Sequence, residues 1–272
     1  MHLARLNHFA LLLPAGVFFI AFFLLPLARL LVVGGSGPQG YAAYAAILTD
    51  AGYFASLVSS LALAVATTVA TLMISGIAGV FLQRNAFPGR ATLVAMLTLP
   101  LAFPGVVVGF MVIVLAGRQG LIGSLTQALT GEKLVFAYSM AGLLMGYVYF
   151  SIPRTILTIM ATAEKLDPRL EEAARSLGAS PWQVVRDIII PGLKPALISA
   201  GAICFATAMG AFGTAFTLAT RINVLPMVIY TEFTLQANIA VAAALSLVLG
   251  AVTWAALALA RSAAGASVAA AG

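Results

Sequence analysis

The residues best suited to chemistry form one short polar segment in an otherwise apolar chain. Glu172–Gly178 reads EAARSLG, and nine residues later Ile188–Pro191 reads IIIP. Oppositely charged side chains three and four residues apart can pair along a helix, and a glycine can end one. No nucleophile–base pair stands out in the chain, so these residue types indicate recognition by a partner surface rather than catalysis.

Local signals predict two capped helices separated by a sharp turn. Asp167 and Ser180 are N-cap residues, and each is followed by a proline at the first helical position. Gln183 completes a capping box with Ser180, and Gly178 suits the left-handed residue that ends the first helix. A plain linker would tolerate any polar sequence and needs neither feature, so we favour docking and keep the linker as the alternative.

The first of these helices also carries a side-chain pattern. An apolar stripe is formed by Leu170, Ala174 and Leu177. Glu171 and Glu172 are expected to pair with Arg175, at spacings of four and three residues. Small residues, which allow another surface to approach closely, surround the bend: Ala173, Ala174, Gly178 and Ala179.

The rest of the chain has the composition of a membrane protein. Of the 272 residues, 62% are hydrophobic and 8% are charged, whereas soluble domains carry about 25% charged residues. We therefore predict an all-α polytopic protein, because a helix satisfies its own backbone polar groups in lipid. The basic residues lie at the ends of apolar runs, which membrane topology explains without nucleic acid. The single cysteine, Cys204, is expected to pack as a small hydrophobe.

Apolar runs long enough to cross a bilayer predict about six transmembrane helices. Their expected limits are 9–33, 56–82, 92–115, 135–160, 194–219 and 239–260. The first is longer than the apolar core of a signal peptide and is expected to stay uncleaved. The predicted organisation is an N-terminus at 1–8, a six-helix membrane domain at 9–260 that contains a polar loop at 161–193, and a tail at 261–272.

The charges predict an orientation as well. With the N-terminus in the cytosol, ten of the 14 lysines and arginines lie on the cytosolic side, in agreement with the positive-inside rule. The polar loop (residues 161–193) and both termini are then cytosolic. Arg154 lies deeper in an apolar run than the other charges and is expected to extend toward the cytosolic face.

Two interruptions of the apolar runs are candidate linings of a translocation path. Pro104 and Gly105 break the third span, and broken apolar helices often line such paths. Met209 and Phe212 lie beside two glycines in the fifth span and are candidates for a gate. A packing kink at the first site and helix–helix packing at the second remain the simpler alternatives.

The polar loop resembles the EAA loop of binding-protein-dependent ABC importer permeases. The resemblance rests on Glu172-Ala173-Ala174, Gly178, Ile188 and Ile190-Pro191, with isoleucine at 190 where the family pattern has leucine. It extends over about residues 55–260, the six-span core of type I importers, and implies a coupling helix that sits in a groove of a cytosolic ATPase. The residues that carry over directly are Glu172, Ala173, Ala174 and Gly178, and their expected neighbours in the contact are Leu177, Ala179 and Ser180.

The resemblance also implies an assembly. The chain would be a permease of a prokaryotic plasma membrane that works by alternating access, paired with itself or a sister permease. A cytosolic ABC ATPase dimer would bind the ATP, and an extracytoplasmic binding protein would deliver a small polar solute such as a polyamine, iron, a phosphonate or an oxyanion. The segment 230–238 would contact that binding protein or form an interfacial aromatic belt.

The chain itself is expected to hold no cofactor and no metal. It lacks a G-x-x-x-x-G-K-[ST] loop, and neither His2 nor His8 has a carboxylate or cysteine partner. An ion-coupled secondary transporter is an alternative, but it would need intramembrane carboxylates, and none lies deep in a predicted span. A membrane enzyme would show clustered catalytic residues, and a scaffold without a transport role would leave the two capped helices unexplained.

Overall fold

The computed structural model describes residues 12–218 and 222–264, which form helices and turns without a strand among them. These residues fall into two compact units, 12–55 with 228–251, and 56–218 with 222–227 and 252–264. The predictions for residues 1–11, 219–221 and 265–272 lie outside the described residues. The all-α fold class is confirmed for the rest.

The helices follow one another along the chain with short connections. The first seven are α1 (Leu12–Gly34), α2 (Ala46–Thr49), α3 (Ala51–Arg84), α4 (Arg90–Thr98), α5 (Gly105–Ala116), α6 (Leu121–Thr130) and α7 (Met140–Ala163). They are followed by α8 (Pro168–Ser176), α9 (Pro181–Val184), α10 (Ile190–Met209), α11 (Gly213–Leu218), α12 (Leu225–Thr234) and α13 (Ile239–Ala264). Turns of 3₁₀ helix lie at Gly40–Tyr44 and Leu99–Ala102, and π-helical turns at Ile20–Leu24 and Val185–Ile189.

Six helical segments of the described chain are long and apolar enough to cross a membrane, as predicted. They are Leu12–Gly34, Ala51–Arg84, Gly105–Thr130, Met140–Ala163, Pro181–Met209 and Ile239–Ser262. A helix of 24 residues is about 36 Å long, which exceeds the roughly 30 Å of a bilayer core. The expected limits 56–82 and 239–260 lie within the second and sixth of these segments.

The third span differs from its prediction. Residues 92–115 do not form one helix, because α4 gives way to the 3₁₀ turn Leu99–Ala102 before α5 begins. Phe103 is extended with ψ of 133°, since a following proline disfavours the helical conformation. The interruption expected at Pro104 is therefore confirmed, whereas the segment able to cross the membrane is Gly105–Thr130.

The limits of the fourth and fifth spans also shift, for local reasons. The helix of the fourth span, α7, begins five residues after the expected 135. The Ser139 hydroxyl caps it and accepts a hydrogen bond from the Gly142 amide at 3.4 Å. The prediction of one continuous fifth span over 194–219 was wrong. Its helix begins earlier and ends at Met209, where a break separates α10 from α11.

Small residues bring the helices of the larger unit into close contact. A methyl group added to Gly109 of α5 would lie 2.6 Å from the Thr217 Cβ of α11. One added to Gly79 of α3 would lie 3.0 Å from the Ile159 side chain of α7. Cys204 is buried on α10, as expected for a small hydrophobe. These contacts pack α5 against α11 and α3 against α7 within the larger unit.

Candidate functional site

The first helix of the polar loop has the predicted caps. The Asp167 carboxylate accepts a hydrogen bond from the Arg169 amide at 2.9 Å and so caps α8. Gly178 has a φ of 86°, the left-handed conformation that favours glycine. The amide of Ala179 then donates to the carbonyl oxygen of Ala174 at 3.0 Å, which closes the end of the helix.

The second helix of the polar loop has the predicted capping box. The Gln183 side-chain oxygen accepts from the Ser180 amide at 2.7 Å, and the Ser180 hydroxyl accepts from the Gln183 amide at 3.4 Å. Val184 of α9 is buried. The π-helical turn Val185–Ile189 joins α9 to α10, so Pro181–Met209 forms one helical segment of 29 residues. A segment of this length extends about 44 Å.

The polar loop exposes an apolar surface that nothing in the described chain covers. Leu177 is 89% exposed, Trp182 is 67% exposed and Leu170 is 57% exposed. Ala174, the third member of the expected stripe, is half-buried. Sequence reasoning missed Trp182, although a tryptophan directly after a capping serine and proline is a signal of an exposed aromatic side chain. Large apolar side chains held outward on a capped turn suit a contact with another protein.

The remaining residues assigned to the contact also lie at the surface of the polar loop. Glu172, Ala173, Gly178 and Ser180 are exposed, and Ala179 is half-buried. Their role in docking stays a prediction at this point. The geometry places them on the same short stretch as the Leu177 side chain.

The ion pairs of the polar loop differ from the predicted set. Glu171 lies 3.9 Å from Arg175, at the outer limit of an ion pair. Its shorter contact is with Arg84 at the end of α3, at 2.6 Å. Glu172 has no ion pair among the described residues, so its expected pairing with Arg175 was wrong. Glu171 pairs with Arg84 at a site where both side chains are largely buried. Glu172, in contrast, is exposed to solvent.

A cavity, which we call the Gly105 cavity, lies beside the two breaks in the spans. The Tyr147 hydroxyl donates to the carbonyl oxygen of Ala211 at 2.6 Å, and the Thr214 hydroxyl donates to that of Gly105 at 2.9 Å. The cavity measures about 400 Å³ and is lined in part by Gly105, Tyr147, Ser151, Thr207, Gly210 and Gly213. Hydrogen bonds from neighbouring helices thus satisfy one backbone carbonyl beside each break.

The four residues assigned to the path occupy different environments. Gly105 lines the Gly105 cavity and Pro104 is exposed. Met209 is fully buried, and Phe212 is half-buried with its ring centroid 5.3 Å from that of Phe216. Their role in a path stays a prediction.

A narrower cleft adjoins the Gly105 cavity on the same two helices, and we call it the Arg154 cleft. Its walls include Ser151, Arg154 and Thr158 of α7 and Ile203, Cys204 and Thr207 of α10. Ser151 and Thr207 line both spaces. The cleft therefore combines one cationic side chain with hydroxyl groups inside a candidate span.

The stretch before α13 is organised by a buried carboxylate. Glu232 accepts hydrogen bonds from the Tyr53 hydroxyl at 2.9 Å and from the Asn238 side chain at 3.2 Å. Ala237 between them has a φ of 52°. The neighbouring Phe233 is 58% exposed. Glu232 thus stabilises the fold of this stretch, whose exposed surface combines apolar Phe233 and Leu235 with polar Thr234 and Gln236.

Metal binding finds no support in the part of the chain that the structure describes. No group of three or more His, Cys, Asp or Glu side chains is placed to hold an ion there. The two histidines lie outside the described residues.

Relatives of the chain are transport proteins. The family model for the binding-protein-dependent transport system inner membrane component matches residues 72–266. The molybdenum transport system permease protein ModB of Escherichia coli is 36% identical over 154 residues, which cover 55% of this chain and 66% of ModB. The sulfate transport system permease protein CysT of Escherichia coli is 31% identical, over 79% of this chain and 76% of CysT. The chloroplastic sulfate permease 2 of Chlamydomonas reinhardtii is 32% identical, and the match spans 46% of that protein and 64% of this chain.

Solved structures share the fold at low sequence identity. One is a bacterial alginate ABC transporter in complex with an alginate pentasaccharide-bound periplasmic protein. A chain of that complex superposes with a TM-score of 0.84 at 16% identity, covering 97% of this chain and 96% of the other. The inward-facing MetNI methionine ABC transporter gives a TM-score of 0.53 at 17% identity, over 77% of this chain and 94% of the other. The match to the first relatives spans just under two thirds of ModB and about half of the algal permease. The family model nevertheless covers most of the chain, which therefore belongs to the family of binding-protein-dependent transport system inner membrane components.

Proposed function

We propose that the chain is the transmembrane permease of an ATP-driven ABC importer and that its polar loop docks on the ATPase. The observation that carries this proposal is the pair of capped helices α8 and α9, which hold Leu177 and Trp182 outward inside the region matched by the family. A capped turn is rigid, so it can transmit a displacement instead of absorbing it.

The connection between the polar loop and the membrane supports this mechanism. The helical segment Pro181–Met209 continues from α9 through the π-helical turn into α10. An ATPase that moves α8 and α9 would therefore also move α10, which lines both the Gly105 cavity and the Arg154 cleft. Alternating access follows if ATP binding and hydrolysis move this segment between two positions.

The proposed assembly has four kinds of component. A second permease, identical or related, completes the path, and a dimer of ATPase subunits binds the ATP. An extracytoplasmic binding protein delivers the solute, as the periplasmic protein of the alginate transporter complex suggests by its presence there. The polar loop and both termini face the cytosol in this arrangement, and the membrane is the plasma membrane of a prokaryote. The chain needs no cofactor of its own.

The solute class that we propose is a small oxyanion. ModB and CysT are named for molybdenum and sulfate transport, and both relatives are more than 30% identical to this chain. Secondary transport is less favoured. The described candidate spans contain one acidic residue, Asp187, and it lies in the second turn of its span. Coupling carboxylates of ion-driven carriers lie near the middle of the membrane.

The proposal is tested by purifying the chain from its native membrane and identifying the proteins that accompany it. The variant Gly178→Pro should lose the ATPase, because proline cannot adopt the φ of 86° at this position. Gly131→Pro is a matched control, since Gly131 has a φ of 81° at the end of α6, outside the polar loop. The proposal fails if no ATPase accompanies the wild-type protein, or if both proline variants lose it equally.

A further inference from the structure

We propose that Arg154 binds the transported anion on its way through the membrane, at the mouth of a cleft that adjoins the Gly105 cavity. This inference rests on the proposed function, because it requires a permease that carries an oxyanion. It names a residue that would contact the solute itself, whereas the polar loop is proposed to contact only the ATPase.

The walls of the Arg154 cleft consist of one face from each of two helices. On α7, Ser151, Arg154 and Thr158 are separated by three and four residues, which places them on one face. On α10, Ile203 and Thr207 are four residues apart and face them. The Arg154 side chain is therefore exposed at a cleft between two membrane-spanning segments.

The hydrogen-bond donors of the cleft differ in their availability. The Thr158 hydroxyl donates to the Arg154 carbonyl oxygen and the Thr207 hydroxyl to that of Ile203, both at 2.9 Å. Among the residues that the structure describes, the Arg154 guanidinium has neither a hydrogen-bond partner nor an ion pair. Arginine carries five N–H donors in a planar fork. Arg154 thus supplies the donors that a ligand in this cleft can use.

The charge of the cleft is not balanced by any of the described residues that line it. None of the described residues that line it is acidic. Arg154 lies nine residues before the end of α7, which is more than two helical turns. A cation at such a position is costly in a membrane and is retained where it serves a pathway or a partner. A tetrahedral oxyanion provides both the opposite charge and two oxygens in the spacing of the arginine fork.

The connection between the two spaces makes the cleft reachable for a solute. Phe150, Ser151 and Thr207 line both the Gly105 cavity and the Arg154 cleft. The cavity, at about 400 Å³, has room for a tetrahedral oxyanion with some of its hydration water. The Arg154 cleft itself measures about 20 Å³, so an anion would contact the exposed Arg154 side chain from the mouth of the cleft, one turn beyond Ser151.

A lipid phosphate offers the same chemistry as a free oxyanion. We assign the site to the solute because the cleft shares part of its wall with the Gly105 cavity, which lies beside two helix breaks. A lipid headgroup would need only the membrane surface. The experiment separates the two sources.

The test is ATP-dependent uptake of radiolabelled molybdate and sulfate by the complete transporter in proteoliposomes. Arg154→Gln should lower uptake at least about tenfold, since it removes the charge and the fork, while ATP hydrolysis in the presence of loaded binding protein persists. Arg118→Gln is the matched control, because Arg118 lies in the turn between α5 and α6 and does not line the cleft. Uptake by this control should equal that of the wild type.

Several results would overturn the assignment. If the wild type carries an oxyanion and Arg154→Gln carries it equally well, Arg154 does not bind the solute. If the variant keeps uptake but loses thermal stability only in vesicles of anionic lipid, the guanidinium binds a lipid phosphate. If the wild type hydrolyses ATP with its binding protein but moves neither anion, the proposed solute class fails, and the Arg154 assignment fails with it.

A conservative variant keeps the question decidable if Arg154→Gln does not assemble with the ATPase. Arg154→Lys retains the charge but loses the fork, so uptake should fall by about three- to tenfold with a higher KM. Assembled Arg154→Lys that matches the wild type in both uptake and KM would contradict a two-oxygen contact.

Discussion

Arg84 at the end of α3 and Glu171 in the polar loop form an ion pair, with 2.6 Å between Nη2 of Arg84 and Oε1 of Glu171. The two side chains are 22% and 13% exposed, and the approach is that of a close ion pair rather than an aligned hydrogen bond. Arg84 also donates to the Leu166 carbonyl oxygen at 3.4 Å. The end of α3 thus contacts the polar loop twice, at Glu171 of α8 and at the turn that precedes α8.

Loss of this pair should separate ATP hydrolysis from transport. Arg84→Met leaves the largely buried Glu171 carboxylate with only the distant Arg175 at 3.9 Å, so the free energy of unfolding should fall by about 1–3 kcal/mol. Uptake should fall more than ATP hydrolysis, because α8 would no longer be held against α3. The measurement is uptake per ATP hydrolysed, together with thermal stability in detergent.

Two further variants control this prediction. Asp187→Asn breaks the ion pair of Asp187 with Arg186, whose 2.7 Å contact lies on the surface. This variant should change neither the uptake per ATP hydrolysed nor the thermal stability. The double exchange Arg84→Glu with Glu171→Arg should recover part of the loss. An Arg84→Met protein with normal stability and coupling would show that the pair has no mechanical role.

Removal of the cap of α9 should weaken the turn between α8 and α9. Ser180→Ala loses one hydrogen bond of the capping box and should cost about 1 kcal/mol of local helix stability. We expect less ATPase to copurify with this variant at raised salt. Ser176→Ala is the control, because the Ser176 hydroxyl only bonds the Glu172 carbonyl oxygen within α8. Equal ATPase recovery from the two variants would show that the Ser180 cap does not contribute to ATPase binding.

Exposed apolar side chains of the polar loop should matter for assembly and not for folding. Leu177→Glu should leave thermal stability of the isolated permease unchanged, since the side chain is 89% exposed. The ATPase should dissociate, because a charge replaces an apolar contact. Leu235→Glu is the control, as Leu235 is also exposed but lies between α12 and α13. A stable ATPase complex with Leu177→Glu would place the contact elsewhere.

Tyr147 should stabilise the break between α10 and α11. Tyr147→Phe removes the 2.6 Å hydrogen bond to the Ala211 carbonyl oxygen and should cost about 0.5–1.5 kcal/mol. Tyr149→Phe, on the exposed side of the same helix, should cost nothing measurable. Thermal unfolding of the two variants in one detergent compares them directly, and equal midpoints would show that the bond does not hold the break.

The features predicted correctly from the sequence are those that depend on neighbouring residues. The caps at Asp167 and Ser180 and the left-handed Gly178 follow from residues within one turn, so their types alone indicate the geometry. The six spans follow from apolar length in the same way.

The features that the sequence did not reveal depend on distant residues. Arg84 and Glu171 are far apart along the chain, and nothing near Glu171 indicates that Arg84 competes with Arg175 for it. The break after Met209 is stabilised by Tyr147 from another helix, so the fifth span appeared continuous. The Arg154 cleft likewise exists only because α7 and α10 pack together.

The central claim is that the polar loop contacts the ATPase, and site-specific cross-linking tests it most directly. Cys204 is the single cysteine and is buried, so Cys204→Ala provides a background for new cysteines. In this background, Leu177→Cys should cross-link to the ATPase subunit in native membranes and Leu235→Cys should not. A cross-linking yield at 177 no higher than at 235, with the assembled ATPase present, would contradict the account.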